Sequence, residues 1–248
     1  MSLPAHRAGP PRTAGRRGEN VETSAVPEPR PAPGRPRRRQ LSEEAADHLR
    51  ELIMSGGLKA GEFLRPERFA DELGISVTPV REALLELRSE GFVQQEPRRG
   101  FVVLALTRQD VLDAFLVQAQ LAGELAARAA ERIGDGALAE LRELQEQMRA
   151  ALAEGRHSDV EDFSFPFHRL INHAAQSPKL RWFMRTAGAY APRRFFAAVP
   201  DWVSHSVREH EDILAALAAG DAEAARRLMS AHIQHSGDLI ADHLAAQR

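Results

Sequence analysis

Histidine and arginine are the side chains of this chain whose placement could do chemistry. Among ten histidines, Phe167-His168, Glu209-His210 and His232 fall on three separate amphipathic segments, the last of them eleven residues beyond Asp221. Three imidazoles from three helices of one bundle can converge on a divalent cation, and neutral imidazole suits Zn or Ni. A three-histidine centre with an open position could also activate water, which would make the chain a metal-dependent hydrolase. Spacing alone separates neither reading from histidines scattered over solvated surface. No His-Glu-x-x-His helix supports the hydrolase, because nothing after His210-Glu211 supplies a second histidine at that spacing. No Ser-His-Asp arrangement, nucleophile elbow or phosphate loop is visible either. The chain has no cysteine, which excludes disulfides and thiolate metal sites.

The arginines form a second constellation. Arg65, Arg68, Arg81, Arg98 and Arg99 lie within one stretch that also contains Ser76-Val77-Thr78. A short helix opening at Ser76 would present Ser76, Val77 and Thr78, and one turn later Arg81, to base edges in a major groove. Arg81 could fork onto a guanine, a contact worth roughly 1–3 kcal/mol of discrimination. Its alternative is a solvated or ion-paired arginine beside Glu82 or Glu86. Arg68 could reach phosphate or base. Gly100 would let the backbone approach a minor groove closely, with Arg99 beside it.

The elements that must position these groups are legible from their ends. Leu41 to Ser55 reads as a helix capped by Ser42, favoured at its start by Glu43 and Glu44, and stopped by Gly56-Gly57. Pro66 to Leu73 is a second helix with proline at an early position, ended by Gly74. Ser76 caps a third, which runs to about Glu90 before Gly91. Phe92 to Gln95 and Phe101 to Leu104 then form a hairpin around Pro97-Arg98-Arg99-Gly100. Three helices and a hairpin wing in this order make a winged helix-turn-helix over residues 40–105.

From Thr107 onward every segment reads as helical. Thr107-Arg-Gln-Asp110 resembles a capping box, followed by an apolar stripe through Val111, Phe115, Leu121 and Leu125. Further helices are expected over Gly136 to Glu154, Ser158 to Ala175, from Ser177-Pro178, a short one near 189–198, Asp201 to Ala219, and from Asp221 to about Ala245. Short loops between amphipathic helices imply an antiparallel bundle of six to seven helices over residues 106–248. The fold class is therefore mainly α. Residues 1–39 are rich in Arg, Pro, Gly and Ala with almost no large apolar residues, and are expected to be disordered.

Residues 41–104 resemble the GntR family of bacterial transcriptional regulators. The resemblance is carried by Gly57-Leu-Lys-Ala-Gly61, Glu67-Arg68-Phe-Ala, Ser76-Val-Thr-Pro-Val-Arg-Glu-Ala83, Leu87, Glu90-Gly91 and Arg99-Gly100. After the capping serine the family usually has a base-reading arginine, and this chain has Val77, which could pack only on a thymine methyl. The resemblance therefore implies an operator that differs from the family's usual half-site at the base Val77 faces. Residues 107–245 are similar to the helical FCD effector domain of the FadR subgroup. There, an Asp four residues before a Phe-His, followed by Glu-His, Gly-Asp and a final His, often holds a metal at which small carboxylates bind. Phe167-His168, Glu209-His210, Gly220-Asp221 and His232 match that pattern. The Asp position is occupied by Ser164, a poor ligand, and Asp162 lies half a turn off unless Pro166 distorts the helix. The first helix of the domain carries Gln118 and Ala122 where the family commonly has Arg and Glu. Without a metal, Arg185, Arg193 or Arg194 could bind a carboxylate, although each also reads as surface charge.

Charge distribution agrees with a nucleic-acid partner more than net charge does. The formal net charge is −2, yet residues 1–40 hold nine Arg against three Glu, while residues 41–106 hold eight basic against twelve acidic residues. A net-acidic domain can bind DNA when its cations share one face. No run of roughly 18 apolar residues exists, so no membrane span is expected, and the Arg/Pro-rich start lacks the apolar core of a secretory signal. The expectation is a cytoplasmic homodimer that binds a double-stranded operator with inverted half-sites. It is expected to act as a repressor and to be modulated by a small-molecule effector.

Overall fold

A computed structural model describes residues 35–190, 196–199 and 201–246. Its order is α1 (Arg35–Met54), β1 (Phe63–Leu64), α2 (Pro66–Leu73), α3 (Val77–Ser89), β2 (Val93–Glu96), β3 (Gly100–Val103), α4 (Arg108–Ala130), α5 (Asp135–Ala153), α6 (His157–Ala174), α7 (Pro178–Ala187), α8 (Trp202–Ala218) and α9 (Ala222–Ala246). Two 3-10 turns, Gly188–Tyr190 and Phe196–Ala198, lie between α7 and α8.

The first helix corrects two expectations. It begins at Arg35 rather than Leu41, so residues 35–39 are helical and not part of a tail. Arginine and glutamine are good helix formers, and Pro36 falls in the first turn, where its missing N–H is no loss. Ser42 is not a cap. Its hydroxyl donates to the Arg39 carbonyl at 3.0 Å inside the helix, one of the local bonds open to a serine in mid-helix. Ala45, Ala46, Leu49 and Ile53 supply the buried face of α1.

α2 ends at Gly74 in the left-handed conformation, φ 64°. Ser76 is the extended residue ahead of α3, but its side chain makes no capping bond. Both helices bury their apolar side, Phe69 and Ala70 on α2 and Val80, Ala83, Leu84 and Leu87 on α3. The wing has a third strand that the sequence does not announce. β1 pairs antiparallel with β3 (Phe63 opposite Val102), and β3 pairs with β2 in the order β1-β3-β2. Gly100 carries φ 98°, and a Cβ there would stand 3.2 Å from the Leu64 carbonyl oxygen. The approach of β1 thus accounts for this glycine without reference to DNA.

Arg50 locks α1 to α3. Only 6% exposed, it donates to Glu90 at 2.7 and 2.8 Å, to Glu86 at 3.0 Å and to Asp47 at 2.6 Å.

In the second half, α4 is the axis and packs most extensively on α9. It opens with the expected capping box, the Thr107 amide donating to Asp110 at 2.7 Å and the Asp110 amide to the Thr107 hydroxyl at 3.1 Å. Its buried row is Val111, Phe115, Gln118, Ala119, Ala122 and Leu125, with Leu121 only half-buried. On α9, Gly237 lets the helices close, since a Cβ there would lie 2.5 Å from the Phe115 Cβ. α6 runs through Pro166 without a break. The helix expected near 189–198 is replaced, where described, by the two 3-10 turns. Residues 191–195, with Arg193 and Arg194, lie outside the described residues, as do residues 1–34. Trp202 on α8 donates its indole N–H to Ser236 of α9 at 3.1 Å, and Gln145 of α5 donates to the Val207 carbonyl of α8 at 2.8 Å.

Candidate functional site: a buried histidine centre and an arginine-bearing helix-turn-helix

α6, α8 and α9 each carry one histidine to a common point. The Nε2 atoms of His168 and His210 are 3.1 Å apart, those of His210 and His232 3.3 Å, and those of His232 and His168 3.2 Å. His210 is fully buried and His232 2% exposed, while His168 is half-buried. Phe167, itself buried, stacks on the His210 ring with centroids 4.5 Å apart. Glu209 accepts a hydrogen bond from His232 Nδ1 at 2.7 Å. That bond places the proton on Nδ1 and leaves the Nε2 lone pair directed at the other two rings, the second-shell arrangement that orients metal-ligating histidines.

Electrostatics favour the neutral form of His168 and His210. Burial, reinforced by the neighbouring His232, pushes His168 down to about 3 from an ordinary 6.5. Burial likewise drives His210 well below its ordinary value, with His232 and His168 adding to the effect. Burial alone would raise the Glu209 carboxyl, but hydrogen bonds from His232 and His235 outweigh it and hold it below the usual carboxylate range.

The donor set fits a divalent cation. Imidazole lone pairs turned on one another repel unless a proton or cation stands between them. The point equidistant from the three lies about 1.9 Å from each, close to the ~2.0–2.1 Å of a zinc–imidazole bond. Among the described residues no carboxylate joins this group. Asp162 is exposed, because an unbroken α6 keeps it half a turn from the histidine row, so Pro166 does not bring it in. Ser164 is buried and lines the same cavity.

That cavity measures about 1060 Å³. Phe115, Gln118 and Ala122 of α4, His168 and Arg169 of α6, Arg181 and Arg185 of α7, and His232 of α9 line it. Gln118 is 2% exposed and its amide nitrogen has no hydrogen-bond partner. Arg185 is exposed at the margin. The cavity also reaches Asp47, Arg50, Glu86 and Glu90 of the helix-turn-helix. Beside it, the Tyr190 hydroxyl donates to the Glu90 carbonyl at 2.5 Å, and the Tyr190 ring packs on Phe92 with centroids 4.7 Å apart.

The arginine constellation is arranged differently. Arg65, Arg68, Ser76, Thr78, Arg81 and Arg99 are exposed, whereas Val77 and Gly100 are half-buried and Val77 packs against the core. Arg81 pairs with Glu67 of α2 at 3.2 Å, not with Glu82 or Glu86. Arg68 pairs with Glu62 at 3.1 Å and lies over the Phe69 ring. The Arg99 guanidinium lies 4.6 Å above the Phe63 ring of β1. The Arg81–Glu67 pair is exposed on both sides and the Arg68–Glu62 pair on its arginine side, and such pairs exchange readily for other anions. The roles of Glu209, which adjoins His210, and of His205 and His235 are not legible from sequence alone. The four-residue spacing of His205 and Glu209 is the local signal that was available.

A helix-turn-helix with an arginine-bearing wing, joined to a bundle built around a ligand-sized cavity, defines a DNA-binding transcriptional regulator with a separate sensory domain. Residues 41–103 match the family described as bacterial regulatory proteins, gntR family, and residues 113–235 match the FCD domain. The chain is 27% identical over 212 residues to the HTH-type transcriptional regulator McbR of Escherichia coli (strain K12), an alignment covering 83% of this chain and 95% of that protein. It is 26% identical over 196 residues to the HTH-type transcriptional repressor RspR of the same organism, covering 77% and 85%. The solved structure of E. coli McbR/YncC superposes with a TM-score of 0.66 at 26% identity, covering 84% of this chain and 98% of that one. The chain belongs to the GntR family and carries an FCD domain. Its relatives are transcription regulators, and the hydrolase alternative finds no support among them. No described helix is long and apolar enough to cross a membrane.

Proposed function

We propose that this regulator is a homodimeric repressor, bound to an inverted-repeat operator and controlled by a small carboxylate-bearing effector seated on a divalent metal in the bundle. The observation that carries the effector half is the convergence of three histidine Nε2 atoms at 3.1–3.3 Å on the wall of the cavity. His168, His210 and His232 would hold Zn or Ni, and Glu209 orients His232. The bound metal would supply a Lewis-acidic position for a carboxylate oxygen. Gln118, with its unpartnered amide nitrogen, would donate to an acceptor on the same effector. Arg185 is a secondary candidate for the effector's charge. Ser164 is no substitute for a carboxylate, so the site is a three-histidine one.

At the other end, Ser76, Val77, Thr78 and Arg81 face base edges, Arg65 and Arg68 face phosphate or base, and Arg99 with Gly100 enters the minor groove. Arg81 leaves Glu67 to do so. Exposed apolar side chains on α4 (Leu116, Val117) and α7 (Trp182, Phe183) support self-association through the bundle. An effector at the histidines would act on the operator through the shared cavity and the Tyr190–Glu90 contact, provided it prefers the released arrangement of the heads.

The test is elemental analysis of untagged protein that has not met a chelator, followed by operator binding with and without metal and small dicarboxylates. About one tightly held Zn, Ni or Mn per chain as purified, lost in His210→Ala, is the expected result. Metal-free protein that refuses reconstitution would sink the metal-centred reading.

A further inference from the structure

A second group of donors lies outside the cavity lining. His205 and Glu209 sit one turn apart on α8, and His235 faces them from α9. Their ligand atoms all fall within 4.8 Å of one another. Glu209 uses its two oxygens separately, Oε2 for His232 Nδ1 and Oε1 for His235 Nδ1, each at 2.7 Å. The His205 and His235 rings meet edge to face with centroids 4.7 Å apart. All three residues are half-buried, held by their helices yet open to solvent for a water ligand.

We propose that His205, Glu209 and His235 form a second divalent-cation site, joined to the three-histidine centre through the Glu209 carboxylate. Two imidazoles, one carboxylate and a water complete a four-coordinate set that suits Zn. Oε1 can pass from the His235 Nδ1 proton to a cation once that proton has exchanged through water to Nε2, which leaves the Nδ1 lone pair to ligate, while Oε2 keeps its hold on His232. Arg208, whose guanidinium lies 3.2 Å from His205 Nδ1, is the competitor for His205. It is exposed and can turn into solvent. Two cations sharing one carboxylate repel, so the open site fills second and more weakly. This site stands on its own residues and does not require the buried centre to be loaded.

The experiment is zinc titration of the metal-stripped full-length chain in a zinc-buffered series, with bound metal counted per chain. The variants are His168→Ala, His205→Gln, His235→Gln and the double His205→Gln/His235→Gln, each checked for unchanged far-UV circular dichroism. Two zinc ions per wild-type chain are expected, the weaker lost or loosened at least tenfold in each His205 and His235 variant and retained in His168→Ala. One zinc per wild-type chain that survives in the double variant and disappears in His168→Ala would overturn the second site and leave the buried centre standing. One zinc that persists in His168→Ala and vanishes in the double variant would do the reverse. No zinc on any chain would overturn both.

Discussion

The histidines of the bundle and the arginines of the helix-turn-helix differ in what holds them. His210 and His232 are packed by Phe167, Glu209 and three helices, and have nowhere else to point. Arg68, Arg81 and Arg99 lean on Glu62, Glu67 and Phe63, partners at the surface that can be exchanged. A buried imidazole loses its rotamer freedom during folding and can meet a ligand at no further ordering cost. A long exposed cation keeps that freedom until DNA arrives, and its entropy is lost on binding. One region is therefore preorganised for a small ligand, while the other adjusts to a long, irregular one. The same chain needs both because its two ligands differ in size and in charge density.

Substitutions can break this contrast at several strengths. His210→Ala carries the largest expected effect, a loss of metal affinity on the order of 100-fold or more, since even second-shell partners of a metal histidine contribute 10–100-fold. Titration with a competing chelator measures it. If His210→Ala binds metal as the wild type does, the buried set is not a unit.

Acid is the next lever. Because His168 is held near 3 in the fold and near 6.5 when unfolded, the unfolded chain takes up its proton first. Metal-free protein should keep its full stability above about pH 6.5 and lose it steadily as pH falls toward 3. Thermal unfolding at pH 7.5, 6.0 and 5.0 checks this. A midpoint that does not fall between pH 7.5 and 5.0 would mean that His168 is not held below its ordinary value in the fold.

Arg81→Ala should cost roughly 1–3 kcal/mol of operator discrimination while leaving stability nearly unchanged. Fluorescence anisotropy on specific and scrambled duplexes reads the two affinities; an equal loss on both would make Arg81 a phosphate contact instead. Arg99→Ala is expected to do least, weakening binding evenly across sequences and reducing the salt slope by about 1. An unchanged slope would leave Arg99 to its packing on Phe63.

Local signals account for what the sequence revealed of the fold. Pro66, Gly74 and Gly91 mark helix ends within a residue or two, and the Thr107–Asp110 box opens α4, because capping involves only neighbours in the chain. The same locality explains the error at Ser42. A serine ahead of two glutamates has one appearance whether it caps a helix or bonds back inside one, and Arg35–Gln40 extend the helix past it. β1 was illegible because two residues make a strand only when β3 lies alongside. At the candidate site, His168, His210 and His232 were readable by resemblance. The exposure of Asp162 and the burial of Ser164 were not, since both depend on how an unbroken α6 packs against α5, α4 and α8.

By itself the sequence determined the order of elements, the helix-turn-helix, the helical nature of the second half and the residue types available for ligand and DNA. These follow from capping, periodicity and composition, which act over a few residues. Only the tertiary structure decided that three nitrogens 22 to 64 residues apart meet within 3.3 Å. It alone decided that Glu209 serves two histidines at once and that Arg81 rests on Glu67. Convergence of that kind depends on the register and crossing of α6, α8 and α9. Close-packed contacts such as Gly237 on Phe115 fix α9 on α4, and no short stretch of chain contains that information.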